Sequence, residues 1–126
     1  MRKIVFENIN FLDLTTNNFK KIIKENGLFV FPAATALVKI KDNDSKKYYS
    51  SLKKADYVFF DSGFFVLLLR ILKNINVSKF SGYKFLKFFF QYLKSNKQSI
   101  FLIDPNINFS KNNYMYIKNL GIKKKI

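Results

Sequence analysis

The sequence predicts an α/β domain, Rossmann-like, in which alternating strands and helices build a largely parallel, layered sheet. Two observations lead to this fold class. Short apolar runs typical of buried strands alternate with longer segments of helical periodicity, and Pro or Asp directly follows three of the apolar runs. The chain has 126 residues, 48% of them hydrophobic, which suffices for one core. We therefore predict a single domain over residues 1–126.

The chain opens with a predicted strand and helix. The strand is expected over Lys3–Ile9. Thr15 or Thr16 can cap a helix that is expected over Asn17–Asn26 and ends at Gly27. The apolar side chains of this helix lie at helical spacing and are expected to face the core: Phe19, Ile22 and Ile23.

Two buried strands with helices between them follow. Each strand is a continuous apolar run, as expected for a strand that is covered on both faces. In chain order the elements are a strand over Leu28–Phe31 that Pro32 ends, a helix over Ala34–Ile40, a helix that Asp44 or Ser45 caps and that reaches Lys54, and a strand over Tyr57–Phe60.

The second half continues the alternation. Its elements are a nearly all-apolar helix over Phe64–Lys73, a helix over Tyr83–Ser95, a strand over Ser99–Ile103, and a helix that Ser110 caps and Gly121 closes. Lys84, Lys87, Gln91 and Lys94 fall on one stripe of the second helix. Such a stripe is typical of a solvated helix face, and contact with anionic lipid headgroups is the alternative.

In open α/β sheets, ligands bind beyond the carboxyl ends of the strands. Three segments are predicted to reach that edge: Pro32–Thr35, Asp61–Gly63 and Asp104–Asn106. Asp61 stands out, because it leaves a strand of large apolar side chains and precedes a helix whose N-terminal amides can hold an anion. Its carboxylate could accept a proton from a hydroxyl nucleophile. Periodicity alone leaves open that Asp61 only caps that helix.

The run from Leu28 to Leu86 resembles the WecG/TagA/CpsF family of bacterial glycosyltransferases. The resemblance is carried by four motifs at compatible spacings: Phe31-Pro-Ala-Ala-Thr35, Ala55-Asp56, Asp61-Ser-Gly63 and Lys79-Phe-Ser-Gly82. Ser99–Ile103 matches a further strand of the family. The match covers most of this chain but only the N-terminal part of a family domain, so we expect a longer domain or a shortened member.

The resemblance implies a metal-independent, cofactor-free, inverting glycosyltransferase. Such an enzyme transfers an N-acetylmannosamine-type sugar from a UDP-sugar donor to a polyprenyl-diphosphate-linked acceptor, for cell-surface polysaccharide synthesis at the inner face of the membrane. Asp61 matches the base of the family. The residues expected to shape the sugar-diphosphate pocket are Thr35, Ser62, Gly63, Lys79 and Gly82.

The sequence departs from the family pattern at three of these motif positions. Ala33 stands where the family has Thr, and Thr35 stands at the Asn position, which keeps a hydroxyl but loses the amide. Lys79 replaces the loop Arg, so it can attract a diphosphate but cannot grip it bidentately. A non-catalytic remnant of the fold therefore stays open as an alternative.

Composition limits the other functions. The chain has no Cys and no His, which removes thiol catalysis, His-based triads and the usual zinc sites. A net charge of +15 would suit a basic module that binds nucleic acid or an anionic membrane. Nearly all the cations are Lys, however, and A/T-rich codons account for much of this bias, so we expect no nucleic-acid partner.

Location and assembly follow from the same features. The most apolar run, Phe64–Leu72, is far shorter than the roughly 20 residues that span a bilayer. The N-terminus turns polar too early for a signal peptide. We therefore expect a cytoplasmic chain in peripheral contact with the anionic inner face of the cell membrane. The sequence leaves open whether it forms an oligomer.

Overall fold

The structure is a computed structural model that describes residues 1–124. Its strands are β1 (Arg2–Phe6), β2 (Ile9–Asp13), β3 (Phe29–Val30), β4 (Tyr57–Phe59), β5 (Ser99–Ile100) and β6 (Lys123–Lys124). Its α-helices are α1 (Thr16–Ile22), α2 (Ala34–Val38), α3 (Lys46–Lys54), α4 (Gly63–Lys73), α5 (Gly82–Ser95) and α6 (Ile107–Asn119), and a 3₁₀ turn covers Asn43–Ser45. The predicted α/β class is confirmed.

The main sheet has four strands in the order β1-β2-β4-β3. β4 pairs in parallel with both β2 and β3, whereas β1 and β2 are antiparallel. Since β2, β3 and β4 run in one direction, their carboxyl ends share one edge of the sheet. This edge carries the residues discussed below.

The prediction of one opening strand over Lys3–Ile9 is wrong, because the chain reverses within it. Glu7 and Asn8 both have positive φ, 49° and 58°, which is the backbone of a type I′ hairpin turn. The turn is tied down by Tyr49, whose hydroxyl donates to the Glu7 carbonyl at 3.0 Å, and by the Lys41–Glu7 ion pair at 2.8 Å. The hydrogen bond and the charge of Glu7 raise the pKa of Lys41.

The core of the main sheet is aromatic and aliphatic. Phe11 of β2 is fully buried and stacks on Phe60 with ring centroids 4.9 Å apart. Phe65 and Leu69, one turn apart on α4, are buried in the same cluster as these two rings. Val58–Phe60 therefore lies in the buried layer, as its apolar run predicts. The run Leu28–Phe31 was expected to be covered on both faces and is not, because Leu28 is 52% exposed and both residues of β3 are only half-buried.

Several helix ends differ from the predictions. Thr15 caps α1 by accepting from the Asn18 amide at 3.4 Å, but α1 ends at Ile22, short of the predicted Asn26. α2 likewise stops at Val38. Ser45 occupies the N-cap position of α3 without a side-chain hydrogen bond. Apolar periodicity located these helices but did not determine the residue at which each one ends.

The chain folds as two compact units, Met1–Lys84 and the part from Phe85 onward. In the second unit β5 pairs in parallel with β6, and the buried residues are Leu93, Ile117 and Ile122. β5 therefore belongs to a separate sheet, and Asp104–Asn106 after it does not follow a strand of the main sheet. That one domain covers 1–126 stays a prediction.

The cap of the last helix also differs from the prediction. Asn106, not Ser110, is the N-cap of α6, and its side chain accepts from the amides of Asn108 and Phe109, each at 3.1 Å. Asn is as favourable a cap as Ser, and the helix begins one turn earlier as a result. On α5, Lys84, Lys87, Gln91 and Lys94 are all exposed, as expected for a solvated face.

Candidate functional site

The carboxylate of Asp61 lies just beyond the carboxyl end of β4 and is held from one side. Its Oδ1 accepts a hydrogen bond from the Gly82 amide at 2.6 Å. Its Oδ2 has no hydrogen-bond partner among residues 1–124, and the residue is half-buried. One oxygen thus fixes the side chain, while the other is available to a substrate.

Asp61 is not the cap of α4, so the alternative role for it is wrong. Ser62 is the N-cap, with extended backbone, and its Oγ accepts from the Phe65 amide at 3.2 Å. Asp61 stands one residue before this position, and its side chain turns toward Gly82 instead. Ser62 was predicted to line the sugar-diphosphate pocket. Its oxygen caps α4 instead, and its O–H can still donate a hydrogen bond to a substrate.

The N-terminus of α4 forms a cationic corner next to Asp61. A methyl group at Gly63 would lie 3.6 Å from Cδ and 3.7 Å from Nζ of Lys79, so the lysine side chain lies against this turn. The amides of Gly63 and Phe64 have no hydrogen-bond acceptor within residues 1–124. Free amides at a helix N-terminus attract anions, and the ammonium group adds a full charge.

Gly82 lies between Asp61 and Phe31, the residue that follows β3. A methyl group there would meet Phe31 Cβ and Cγ at 3.7 Å and Asp61 Oδ1 at 3.8 Å. These are ordinary van der Waals distances, so the backbone does not require glycine at this position. The absent side chain leaves space beside the carboxylate.

Thr35 is the predicted site residue that the structure does not connect to the others. It lies exposed in the first turn of α2. Among the described residues, no hydrogen bond joins Thr35 to Asp61, Lys79 or Gly82. Its part in the site stays a prediction, whereas Asp61, Gly63, Lys79 and Gly82 lie together.

Sequence reasoning missed Asp13, which ends β2 at the same sheet edge. Its carboxylate accepts from the Ser78 amide at 2.8 Å and pairs with Arg2 at 3.0 Å. The available signal was the one that singled out Asp61, a carboxylate directly after an apolar run. Asp13 was overlooked because the second strand of the hairpin was not predicted.

Neither a metal cluster nor a membrane span is found in the described part of the chain. Residues 1–124 contain no group of three or more carboxylates that could hold a metal ion. None of the helices in residues 1–124 has the length and apolarity needed to cross a bilayer.

Comparison with known proteins gives one family. A search of curated proteins returned no match. The model of the glycosyl transferase WecG/TagA/CpsF family matches residues 3–106, which correspond to the N-terminal part of the family domain. This match supports a glycosyltransferase-like role in cell-surface polysaccharide synthesis, with a sugar donor and an acceptor as substrates. Because the matched segment covers most of the chain, from β1 to the start of the last helix, the protein belongs to the WecG/TagA/CpsF family of glycosyl transferases.

Proposed function

We propose that this chain transfers an N-acetylmannosamine-type sugar from a UDP-sugar to a polyprenyl-diphosphate-linked acceptor, with inversion at the anomeric carbon. The observation that carries the proposal is the Asp61 carboxylate, which is fixed through Oδ1 and open at Oδ2, beside the cationic corner of Gly63 and Lys79. A proton acceptor and an anion site adjoin, as sugar transfer from a nucleotide diphosphate requires.

In the proposed reaction, Asp61 is the general base. The acceptor hydroxyl attacks the anomeric carbon, and its proton passes to Asp61 Oδ2. The bond between that carbon and the diphosphate oxygen breaks, and UDP leaves with the electron pair. The hydrogen bond from Gly82 holds the carboxylate in one orientation, so its free oxygen can meet the hydroxyl without rearrangement.

The negative charge that develops on the leaving diphosphate needs a partner. Lys79 Nζ and the free amides of Gly63 and Phe64 converge on one corner and are suited to that charge. Lys79 is a point charge, so it attracts the diphosphate without fixing its rotation. Thr35 and the hydroxyl of Ser62 would add hydrogen bonds to the sugar, and Gly82 would leave room for it.

Peripheral contact with an anionic membrane is the second part of the proposal, and α4 supports it. We define the α4 face as Val38, Phe64, Leu67 and Ile71, whose exposed fractions run from 49% to 82%. Phe64 and Val38 also line one shallow groove. Lys39 follows Val38 and Arg70 precedes Ile71 in the chain, both are exposed, and neither α2 nor α4 contains a carboxylate. Apolar side chains edged by cations suit the surface of an anionic bilayer.

This face would bring the site to its acceptor. Phe64 follows Gly63 directly, so a bilayer in contact with the α4 face would lie close to the cationic corner. A lipid-linked diphosphate could then reach Asp61 without leaving the membrane. We infer a location at the cytoplasmic side of the cell membrane.

The proposal is tested by measuring UDP binding with calorimetry. The wild-type chain should bind UDP, and Lys79→Ala should weaken binding about tenfold, as expected for the loss of one charge-assisted contact. Lys54→Ala is the matched control, because it removes the same exposed charge just before β4, at the opposite end of that strand. An absence of UDP binding by the wild type, or equal losses in the two variants, would contradict the proposed donor site.

A further inference from the structure

We propose that Asp13 is a positioning residue that fixes Lys79 over the N-terminus of α4. The proposal rests on the proposed function, since it gives Asp13 a purpose in donor binding, but its structural part can be tested separately. Asp13 need not touch the substrate to act in this way. It would act through the chain segment that carries Lys79.

Residues 74–82 join α4 to α5, and residues 74–81 have no regular secondary structure. Hydrogen bonds nevertheless attach every second residue of this segment, from Asn76 to Gly82, to the rest of the fold. The Arg2 side chain donates to the Asn76 carbonyl. The Ser78 amide donates to Asp13 Oδ1 at 2.8 Å, the Phe80 amide to the Phe60 carbonyl at 2.9 Å, and the Gly82 amide to Asp61 Oδ1 at 2.6 Å. Every second amide from Ser78 to Gly82 therefore points toward the sheet edge.

This alternation determines where Lys79 can lie. Its two neighbours are both attached, Ser78 by its amide and Phe80 by its amide and by a ring that is 1% exposed. Fixing the chain on both sides removes most of the conformations that the Lys79 backbone could otherwise adopt. The side chain then extends against Gly63, where a donor diphosphate would bind.

Asp13 holds the segment through its carboxylate, although it lies 65 residues away from Ser78 in the sequence. Its side chain is 17% exposed and pairs with Arg2, the cross-strand partner of Asp13 in the hairpin. Arg2 itself reaches Asn76, so the hairpin holds the segment through both members of the pair. A charged acceptor in a partly buried setting gives a stronger bond to the Ser78 amide than a neutral one would.

The experiment is a double-mutant cycle on UDP affinity with Asp13→Ala and Lys79→Ala. We expect Asp13→Ala to weaken UDP binding between about threefold and tenfold, within the range for coupled neighbours. In the Lys79→Ala background the same substitution should change affinity less than about twofold, because its effect passes through the lysine. Losses that multiply in the double variant would overturn the proposal.

Asp56→Ala is the matched control. Asp56 precedes β4 and accepts from the Leu28 amide at 2.8 Å, so its removal breaks the same kind of bond at the opposite edge of the main sheet. It should leave UDP affinity unchanged. An equal loss of affinity in Asp56→Ala and Asp13→Ala would show a merely structural effect and would overturn the proposal.

Hydrogen exchange provides a readout that does not depend on UDP. Asp13→Ala should speed amide exchange at Ser78 at least about tenfold while leaving Leu28 unchanged, since only the first amide loses its acceptor. If Asp13→Ala does not fold, Asp13→Asn keeps the side-chain shape and should speed exchange by a smaller factor. Unchanged exchange at Ser78 refutes the attachment even where UDP binds, whereas faster exchange without wild-type UDP binding refutes the proposed function alone.

Discussion

Replacing Asp61 by Asn should separate the two tasks of this carboxylate. The substitution keeps the shape of the side chain and an oxygen that can accept from the Gly82 amide. It removes the negative charge and the ability to take a proton. We expect a small loss of stability and a large loss of sugar transfer.

The expected loss of stability follows from one hydrogen bond. The 2.6 Å bond from the Gly82 amide ends on a half-buried carboxylate, and such bonds contribute about 1.5–3 kcal/mol. The neutral bond in Asp61→Asn would contribute about 0.5–1.5 kcal/mol. The difference is about 1 kcal/mol, which lowers the Tm of a domain of this size by about 3–6 °C.

The expected loss of activity is much larger. A positioned general base contributes about 10²–10⁴-fold in rate, or about 3–5 kcal/mol in the barrier. Asn cannot accept the proton, so transfer should fall by that factor with a nearly unchanged affinity for the donor. Thermal unfolding by circular dichroism and transfer from labelled UDP-sugar to a lipid-diphosphate acceptor measure the two effects.

Asp56→Asn is the control for this pair of measurements. It makes the same chemical change on a carboxylate that also accepts a backbone amide, at 2.8 Å from Leu28. It should lower the Tm by about the same amount and leave sugar transfer unchanged. Transfer by Asp61→Asn at more than about a tenth of the wild-type rate would refute the assignment of Asp61 as base.

Three further predictions concern the fold and its surface. Gly27→Ala should destabilise the chain by about 1–3 kcal/mol in urea unfolding, because a Cβ there would lie 3.0 Å from Asp56 Oδ2; an unchanged midpoint would contradict this. Asn106→Ala should cost about 1 kcal/mol through the lost cap, and Ser110→Ala under about 0.5 kcal/mol; equal costs would contradict the assigned cap. Ile71→Glu should reduce sedimentation with phosphatidylglycerol vesicles at least about tenfold and leave the Tm nearly unchanged, since Ile71 is exposed; undiminished sedimentation would count against the α4 face.

The elements that could be predicted are those with a local signal. β4 and α4 follow from apolar runs whose ends are marked by Asp61 and Gly63. The hairpin could not be found in this way, because its turn places Glu7 and Asn8 at positive φ without a glycine. Whether the chain reverses there is decided by pairing between β1 and β2, which short-range patterns do not report.

The site shows the same division. The proximity of Asp61, Gly63, Lys79 and Gly82 could be predicted because strand ends meet at one edge and because the family motifs name these residues. The cap at Ser62 and the bond from Ser78 to Asp13 could not. In the second case the partners are 65 residues apart, so only the folded chain shows which carboxylate receives which amide.

Three of the few carboxylates in this basic chain accept backbone amides at the ends of the main sheet, yet their surroundings differ. Asp13 pairs with Arg2, so its charge is already balanced. Asp56 is exposed at the amino end of β4, where water solvates it. Asp61 is half-buried, keeps one oxygen without a partner in the described residues, and lies in the same loop cluster as Lys79 and Gly63. If Asp61→Asn alone loses sugar transfer, backbone bonding that all three carboxylates share cannot be the cause, and the open oxygen beside the proposed anion site accounts for the loss.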